Sequence, residues 1–431
     1  MRHPLEIELD HRIALDCFAT AYSWEPGDRS EFARQGQLSF KRNGRLSFYI
    51  HIPFCKKLCE FGKYPHCLTP DDAIQRNYLQ IVHRDIRNFL SEYPNITLEG
   101  FDIGGGTPTA LSPSNFAYLM QIYKEVVHRV NIADDFEPSI AASLTTLTPD
   151  KVKMIDEAGI HRLSIDIPPP QTQGLFSNTD PENLDKKQLV EIMKMIRYRG
   201  HFKINLGFLY GFNDLLFYEF LDDRSIIDAL NPDQVTIYEL QTNKYADIKT
   251  PDPLVRHTGY ACRYKALTEM GYLGEYGRNS FSVDRYDLGM SSFLRHRIFE
   301  GHDYKGFGIS AQSMSDGDVE YNIGKNNPDI LRLIPKGKIS KKATFEAKEH
   351  YELTNEEKFA EFVCISDYSG GFDWRIAKKR FIPDFFQRFG VLLDFLADND
   401  YIDITTNRIQ LTRKGFVQHA AVLSLFYRHN F

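Results

Sequence analysis

The sequence predicts an α/β protein, a partial (β/α)6 parallel barrel over residues 46–345 with a small C-terminal helical, winged-helix-like domain over 346–431 and an N-terminal extension over 1–45. Two observations predict it. Short β-rich runs alternate with longer helical patterns from Leu46 to Leu240, and strands alternating with helices imply βαβ crossovers and a parallel sheet. From about Glu349 the pattern changes to helices followed by a short hairpin. About six β/α units suit a partly closed barrel better than an eight-fold one.

The expected strands are Leu46–Ile52, Gly100–Ile103, Ser139–Ala142, Arg162–Ile167, Lys203–Leu209 and Gln234–Tyr238. Thr148-Pro149-Asp150 reads as a helix start, with Thr148 as the cap and Pro149 at the first position. Leu189, Ile192, Met193 and Ile196 recur at helical spacing, and Gly200 closes that segment. Pro168-Pro169-Pro170 follows a strand and makes a stiff βα loop. Toward the C-terminus, helices around Asn355–Tyr368 and Phe385–Asn399 lead into Tyr401–Ile404, a turn at Thr406-Asn407, and Ile409–Thr412. Residues 1–45 are polar and mixed, as expected of a segment that wraps the barrel. In either barrel geometry a ligand belongs at the C-terminal strand ends.

Composition narrows the function class. Of 431 residues, 42% are apolar and 26% charged, enough for a real core. A net charge of −6 argues against a nucleic-acid partner. No apolar run reaches the roughly 18 residues of a membrane span, and acids occupy the start MRHPLEIELDHR where a signal peptide needs an apolar core. A cytoplasmic protein with a small-molecule substrate is the expectation.

Six cysteines occur, at 17, 55, 59, 67, 262 and 364. Cys55, Cys59 and Cys67 fall together in FYIHIPFCKKLCEFGKYPHC, just after the first strand. In a reducing compartment such a cluster points to metal binding or catalysis rather than to disulfides. A cuboidal iron–sulfur cluster needs converging thiolates from a short irregular loop. Zinc held by Cys55, Cys59, His66 and Cys67 is a chemical alternative. Gly104-Gly105-Gly106-Thr107-Pro108-Thr109 follows the second strand, where glycines allow close backbone approach and their amides can hold a carboxylate or amine.

These residues resemble the radical-SAM superfamily, specifically its oxygen-independent coproporphyrinogen dehydrogenase-like branch. There, HIPFC opens a C-x3-C-x2-C loop, and GGGTPT holds the methionyl amino group of S-adenosylmethionine (SAM). The segments TLTPDKV, AGIHRLSID, INLGFLYGF, LNPDQVTIYEL, GFGISAQSM and IQLTRKG extend the resemblance from about residue 46 to 425. It implies a barrel of radical-SAM type and two cofactors, SAM and a [4Fe–4S] cluster held by Cys55, Cys59 and Cys67. The same resemblance places Tyr49, Phe61 and Gly104–Thr107 around SAM, with Phe61 near adenine, and implies an electron donor such as flavodoxin or ferredoxin.

The chain departs from the family pattern at four positions. Gly62 stands where the third cluster cysteine belongs. Ala141 replaces a glutamate and Pro168 a glutamine that contact SAM, and Gly207 replaces an aspartate on the ribose. Either Cys67 serves as the third ligand or the cluster is absent or weakly held. The expected activity is a specialised radical oxidoreductase or a methyl or methylene transferase acting on a small organic or aromatic molecule. Two alternatives stand beside it. One is redox-neutral SAM chemistry drawing on Asp166, Tyr238, Glu239, Glu275, Tyr276 or Arg278. The other is non-catalytic haem or tetrapyrrole binding, with His66 or Tyr64 as an iron ligand.

Overall fold

The six β-rich runs become six consecutive strands: β1 (Arg45–Ile52), β2 (Thr97–Gly105), β3 (Ser139–Ala142), β4 (Arg162–Ile167), β5 (Lys203–Tyr210) and β6 (Gln234–Glu239). The computed structural model describes residues 3–14, 33–56, 65–167, 186–211, 216–239, 252–325, 327 and 329–427. The six strands lie side by side in chain order, each parallel to the next. Antiparallel β7 (Ser280–Ser282) borders β6, and parallel β8 (Tyr304–Phe307) borders β1. Antiparallel β9 (Gln312–Ser315) and β10 (Asp318–Tyr321) extend the sheet beyond β8.

Five helices make the crossovers: α1 (Asp72–Glu92), α2 (Pro113–Val127), α3 (Pro149–Glu157), α4 (Lys186–Arg199) and α5 (Leu216–Leu230). Sequential strands with right-handed crossovers put every such helix on the same side of the sheet. Side chains alternate along each strand, so one face must be apolar. Phe48, Ile50, Phe101, Ile103, Leu163, Ile165, Leu206 and Phe208 fill that face and share one core with Leu79, Val82 and Ile86 of α1 and Leu119 of α2.

The opposite, inner face carries Tyr49, His51, Asp102, Ala141, Ser164, Asp166, Asn205 and Tyr238, as their cross-strand register requires. A parallel sheet covered on both sides is apolar on both. The polar inner face therefore suits water or a ligand.

Local signals behave as their chemistry demands. Thr148 accepts from the Lys151 amide and Pro149 begins α3. The Gly200 amide donates to Ile196 O at 3.0 Å as α4 ends.

The described parts of the N-terminal segment lie in two places. Helix Pro4–Ala14 lies against the C-terminal domain, with Arg12 Nη1 donating to Ser424 O at 3.1 Å. Strand Ala33–Gln35 joins the edge of the main sheet through Glu349–Tyr351. The first helix of the C-terminal domain, α6 (Asn355–Ser366), accordingly starts after a strand that belongs to the main sheet. A capping box formed by Thr354 and Glu357 opens it. The expected hairpin forms between Ile402–Ile404 and Arg408–Leu411. Gly371–Asp373 adds a third strand that is too short to show a period in sequence.

One buried ion pair ties the sheet edge to the N-terminal segment. Lys305 Nζ lies 2.5 Å from Glu320 Oε1, with side chains 2% and 0% exposed, and Glu320 Oε2 accepts from the Leu38 amide at 2.8 Å. Removing one partner strands a buried charge. Lys305→Met is therefore expected to lower unfolding free energy by about 3–5 kcal/mol, measured by urea denaturation. A loss within experimental error would contradict this reading of the pair.

Candidate functional site

The C-terminal ends of β1 and β2 bring the glycine loop and the cysteine loop together. Each glycine faces a different side chain of the β1 segment. A Cβ on Gly104 would stand 3.3 Å from Tyr49 Oη, one on Gly105 2.5 Å from His51 Nδ1, and one on Gly106 2.6 Å from Cys55 Sγ. Gly105 also adopts φ +108°, a conformation side chains disfavour. The amides of Gly106 and Thr107 donate to Ile52 O and Phe54 O, both at 2.8 Å. Close approach, not a nest of open amides at those two positions, is thus what the triplet contributes.

His51 is buried here, and burial lowers its pKa to about 4, so the ring is neutral at physiological pH. Its Nε2 sits 2.9 Å from Pro65 O and its Nδ1 3.4 Å from Tyr49 Oη. A carbonyl can only accept, which assigns the proton to Nε2 and leaves Nδ1 as an acceptor.

The two described cysteines of the loop point apart. In the two-residue ladder Phe54–Cys55 with Cys67–Leu68, Phe54 partners Cys67 and Cys55 partners Leu68. Alternation puts Cys67 on the face of Phe54, within the main apolar core, and Cys55 on the other face against Gly106. Burial pushes the Cys67 thiol up to about 12, with Cys55 adding to the shift. A cluster cage needs converging thiolates, whereas alternation sets Cys55 and Cys67 on opposite faces of this short ladder. Cys59, Phe61, Gly62, Tyr64 and Pro168 lie outside the described residues, while His66 is half-buried beside Cys67.

Across the inner face, Asp166 of β4 partners Gly207 of β5. A Cβ on Gly207 would meet Asp166 Oδ1 at 2.2 Å and Tyr238 Cε2 at 3.2 Å. Asp166 Oδ1 therefore lies in the space that a side chain at 207 would take. Asp166 lies deep among the strands, and desolvation raises its pKa. Its carboxylate is nevertheless exposed to open space on the inner face. Ala141, paired with Ser164, shows no such replacement in its register.

Asp102 lies on the same face, two residues before Gly104. Ser291 Oγ donates to its Oδ2 at 2.7 Å, while Oδ1 is buried without a hydrogen-bond partner. Burial pushes this carboxyl up to about 7. Asp102 and His51 were not foreseen as site residues. Counting back by twos from Gly104 and forward from Tyr49 would have found both.

The other polar candidates lie elsewhere. Glu239 ends β6 and pairs with Arg256 at 3.0 Å and His419 at 3.4 Å. His419 also meets Asp367 at 2.6 Å, and the two carboxylates raise its pKa to about 10 against the opposing effect of burial. Beside them a narrow cleft opens, lined by Arg12, Tyr210, Glu239, Arg256, His257 and His419. Tyr276 is 2.8 Å from His257 in that seam, and Arg278 pairs with Glu275 at 2.7 Å. The structure thus gathers Tyr49, Gly104–Gly106, Cys55, Asp166 and Tyr238 at the inner face, and not Glu275, Tyr276 or Arg278.

No protein-family model matches the chain. By sequence it is similar to the haem chaperone HemW of Bacillus subtilis, 24% identical over 392 residues covering 86% of this chain and 96% of that protein. It is equally similar to the oxygen-independent coproporphyrinogen III oxidase of Salmonella typhimurium, 24% identical over 401 residues covering 86% and 82%. Its fold matches coproporphyrinogen III oxidase (HemN) from Escherichia coli, a radical SAM enzyme, with a TM-score of 0.70 over 90% of this chain and 91% of that one at 20% identity. By sequence along most of its length the chain is similar to haem chaperones and oxygen-independent coproporphyrinogen III oxidases, and its fold is the one seen in the radical SAM enzyme HemN.

Proposed function

We propose that this protein is an enzyme that binds SAM on the polar inner face of its barrel and uses it for redox-neutral group transfer to a small organic or aromatic acceptor. The observation that carries this reading is Asp166, whose carboxylate fills the space a side chain at Gly207 would take. The family resemblance assigns the aspartate at that place to the ribose. A pocket that had lost its ligand would have no need of the replacement.

The chain's own groups supply the remaining parts. Gly104–Gly106 let the backbone approach the methionyl end closely, beside the Tyr49 hydroxyl. Asp166 presents a carboxylate able to accept from two hydroxyls. SAM, when bound, supplies a carbon activated by its sulfonium, a displacement that positioning alone can accelerate. Asp102, held by Ser291 with its buried Oδ1 unpartnered and its carboxyl raised to about 7, is a protonatable group beneath this face. Cys55 and Cys67 occupy opposite faces of their short ladder, an arrangement that does not suit the converging thiolates of an iron–sulfur cluster.

Tetrapyrrole binding is a second reading, supported by similarity to a haem chaperone over 96% of that protein's length. A shift of the haem absorption band on titration, lost in His66→Ala, is its expected signature. An unshifted band would count against it.

Two measurements test the main reading. Calorimetric titration of metal-free protein with SAM should show binding that Asp166→Ala weakens by about 1.5–3 kcal/mol, roughly ten- to a hundredfold. No binding by the wild type would refute the assignment of SAM. Anaerobic reconstitution with iron and sulfide should leave the wild type without the paramagnetic signal of a reduced four-iron cluster. A stable signal that disappears in Cys67→Ala would instead establish the radical version with Cys67 as third ligand.

A further inference from the structure

A second cluster of ligand-type side chains lies far from the glycine loop. Glu99, near the start of β2, is fully buried. It is six residues from Gly105, or roughly 20 Å along an extended strand. One ligand atom each from Glu99, His296 and His302 lies within 4.8 Å of the other two. Glu300 is beside them, 3.2 Å from His296 Nδ1 and 3.1 Å from His302 Nε2.

Two backbone irregularities deliver these groups to one place. The β1–β2 register shifts between Leu46 and Ser47, so that Glu99 is the extra residue between Leu98 and Gly100. Such a bulge re-aims a side chain. His296–Glu300 forms a single π-helical turn, ended by Gly301 in the left-handed conformation just before His302. Turns of this kind are rare and recur at functional sites.

The polar groups are incompletely matched to one another. His296 is 3% exposed, yet its Nδ1 has no hydrogen-bond partner although Glu300 Oε1 is close. His302 Nδ1 is 2.7 Å from Glu99 Oε1. Three arginines border the cluster, and Arg295 Nη2 also comes within 3.4 Å of His296 Nε2. Arg45 meets Glu99 Oε2 at 3.0 Å, Arg295 meets Asp135 Oδ2 at 2.6 Å, and Arg380 donates to the carbonyls of Glu300 and Gly301. Asp135 Oδ2 is also 3.2 Å from His296 Nε2.

We propose that Glu99, His296 and His302 form a binding site for a divalent transition-metal ion. Two imidazoles and a carboxylate suit zinc with an open fourth position, with ligand distances of about 2.0–2.2 Å. Shifts on the order of an ångström bring the donors to such distances. The ion would tie the start of β2 to the π-helical turn and, through Arg380, to the C-terminal domain. This proposal is independent of what the inner face binds.

Cobalt(II) titration, followed in the visible, is the test, because thiolate ligation adds a charge-transfer band that nitrogen and oxygen ligands lack. The wild type and a Cys55→Ser/Cys59→Ser/Cys67→Ser variant should each take up an ion with tetrahedral visible bands and no thiolate band at this site. His296→Gln and His302→Gln should weaken that uptake at least tenfold while circular dichroism stays native. Loss of all binding in the cysteine variant, or unchanged binding in both histidine variants, would overturn the proposal. Should the histidine variants fold poorly, zinc-edge X-ray absorption of the zinc-loaded wild type decides. A nitrogen and oxygen shell containing imidazole supports the site, and a shell of sulfur alone or oxygen alone overturns it.

Discussion

A parallel strand shows its two faces to two different surroundings, and everything at this protein's inner face depends on that separation. The helices over β1 to β6 pack one face with Phe48, Ile50, Phe101, Leu163 and Phe208. With core packing settled there, the inner face can hold groups that a doubly covered sheet could not tolerate. Asp102, Asp166, Asn205 and His51 occupy it because the strand period puts them there. Burying such groups without partners is unfavourable. Asn205 meets Ser164 and Thr236, and Asp102 meets Ser291, but Asp102 Oδ1 has no partner.

The same alternation separates what is kept of the ancestral site from what is altered. Asp166, in register with Gly207, puts a carboxylate on the inner face where a side chain at 207 would lie. The cysteine loop shows the opposite outcome. Cys67 follows Cys55 into a paired ladder one position out of phase, so the ladder that orders it also turns its sulfur into the apolar core. Moving a ligand within a strand by an odd number of positions changes its face, whereas moving it across the sheet in register does not.

Much of the fold was legible in the sequence because it rests on period and punctuation. The six runs of β-rich residues, Thr148 at its cap and the Arg408–Leu411 hairpin all carry local signals. The destination of the first 45 residues carried none, since contacts such as Arg12 with Ser424 join the two ends of the chain. At the site, the glycine loop and Cys55 were readable from the resemblance. The losses at Gly62, Ala141 and Gly207 were readable too, but the replacement by Asp166 was not. It is a relation between neighbouring strands, and a single sequence does not print the register. His51 and Asp102 were within reach of strand period alone.

The central claim is that Asp166 stands in for the carboxylate absent at 207, and exchanging the two residues tests it most directly. SAM affinity would be measured by calorimetry for Asp166→Gly, Gly207→Asp and the double variant. Gly207→Asp alone places a Cβ against Asp166 Oδ1, so that single variant is expected to bind poorly. The account predicts that Asp166→Gly loses affinity and that adding Gly207→Asp restores most of it. Wild-type affinity in Asp166→Gly, or a double variant no better than Asp166→Gly, would contradict it.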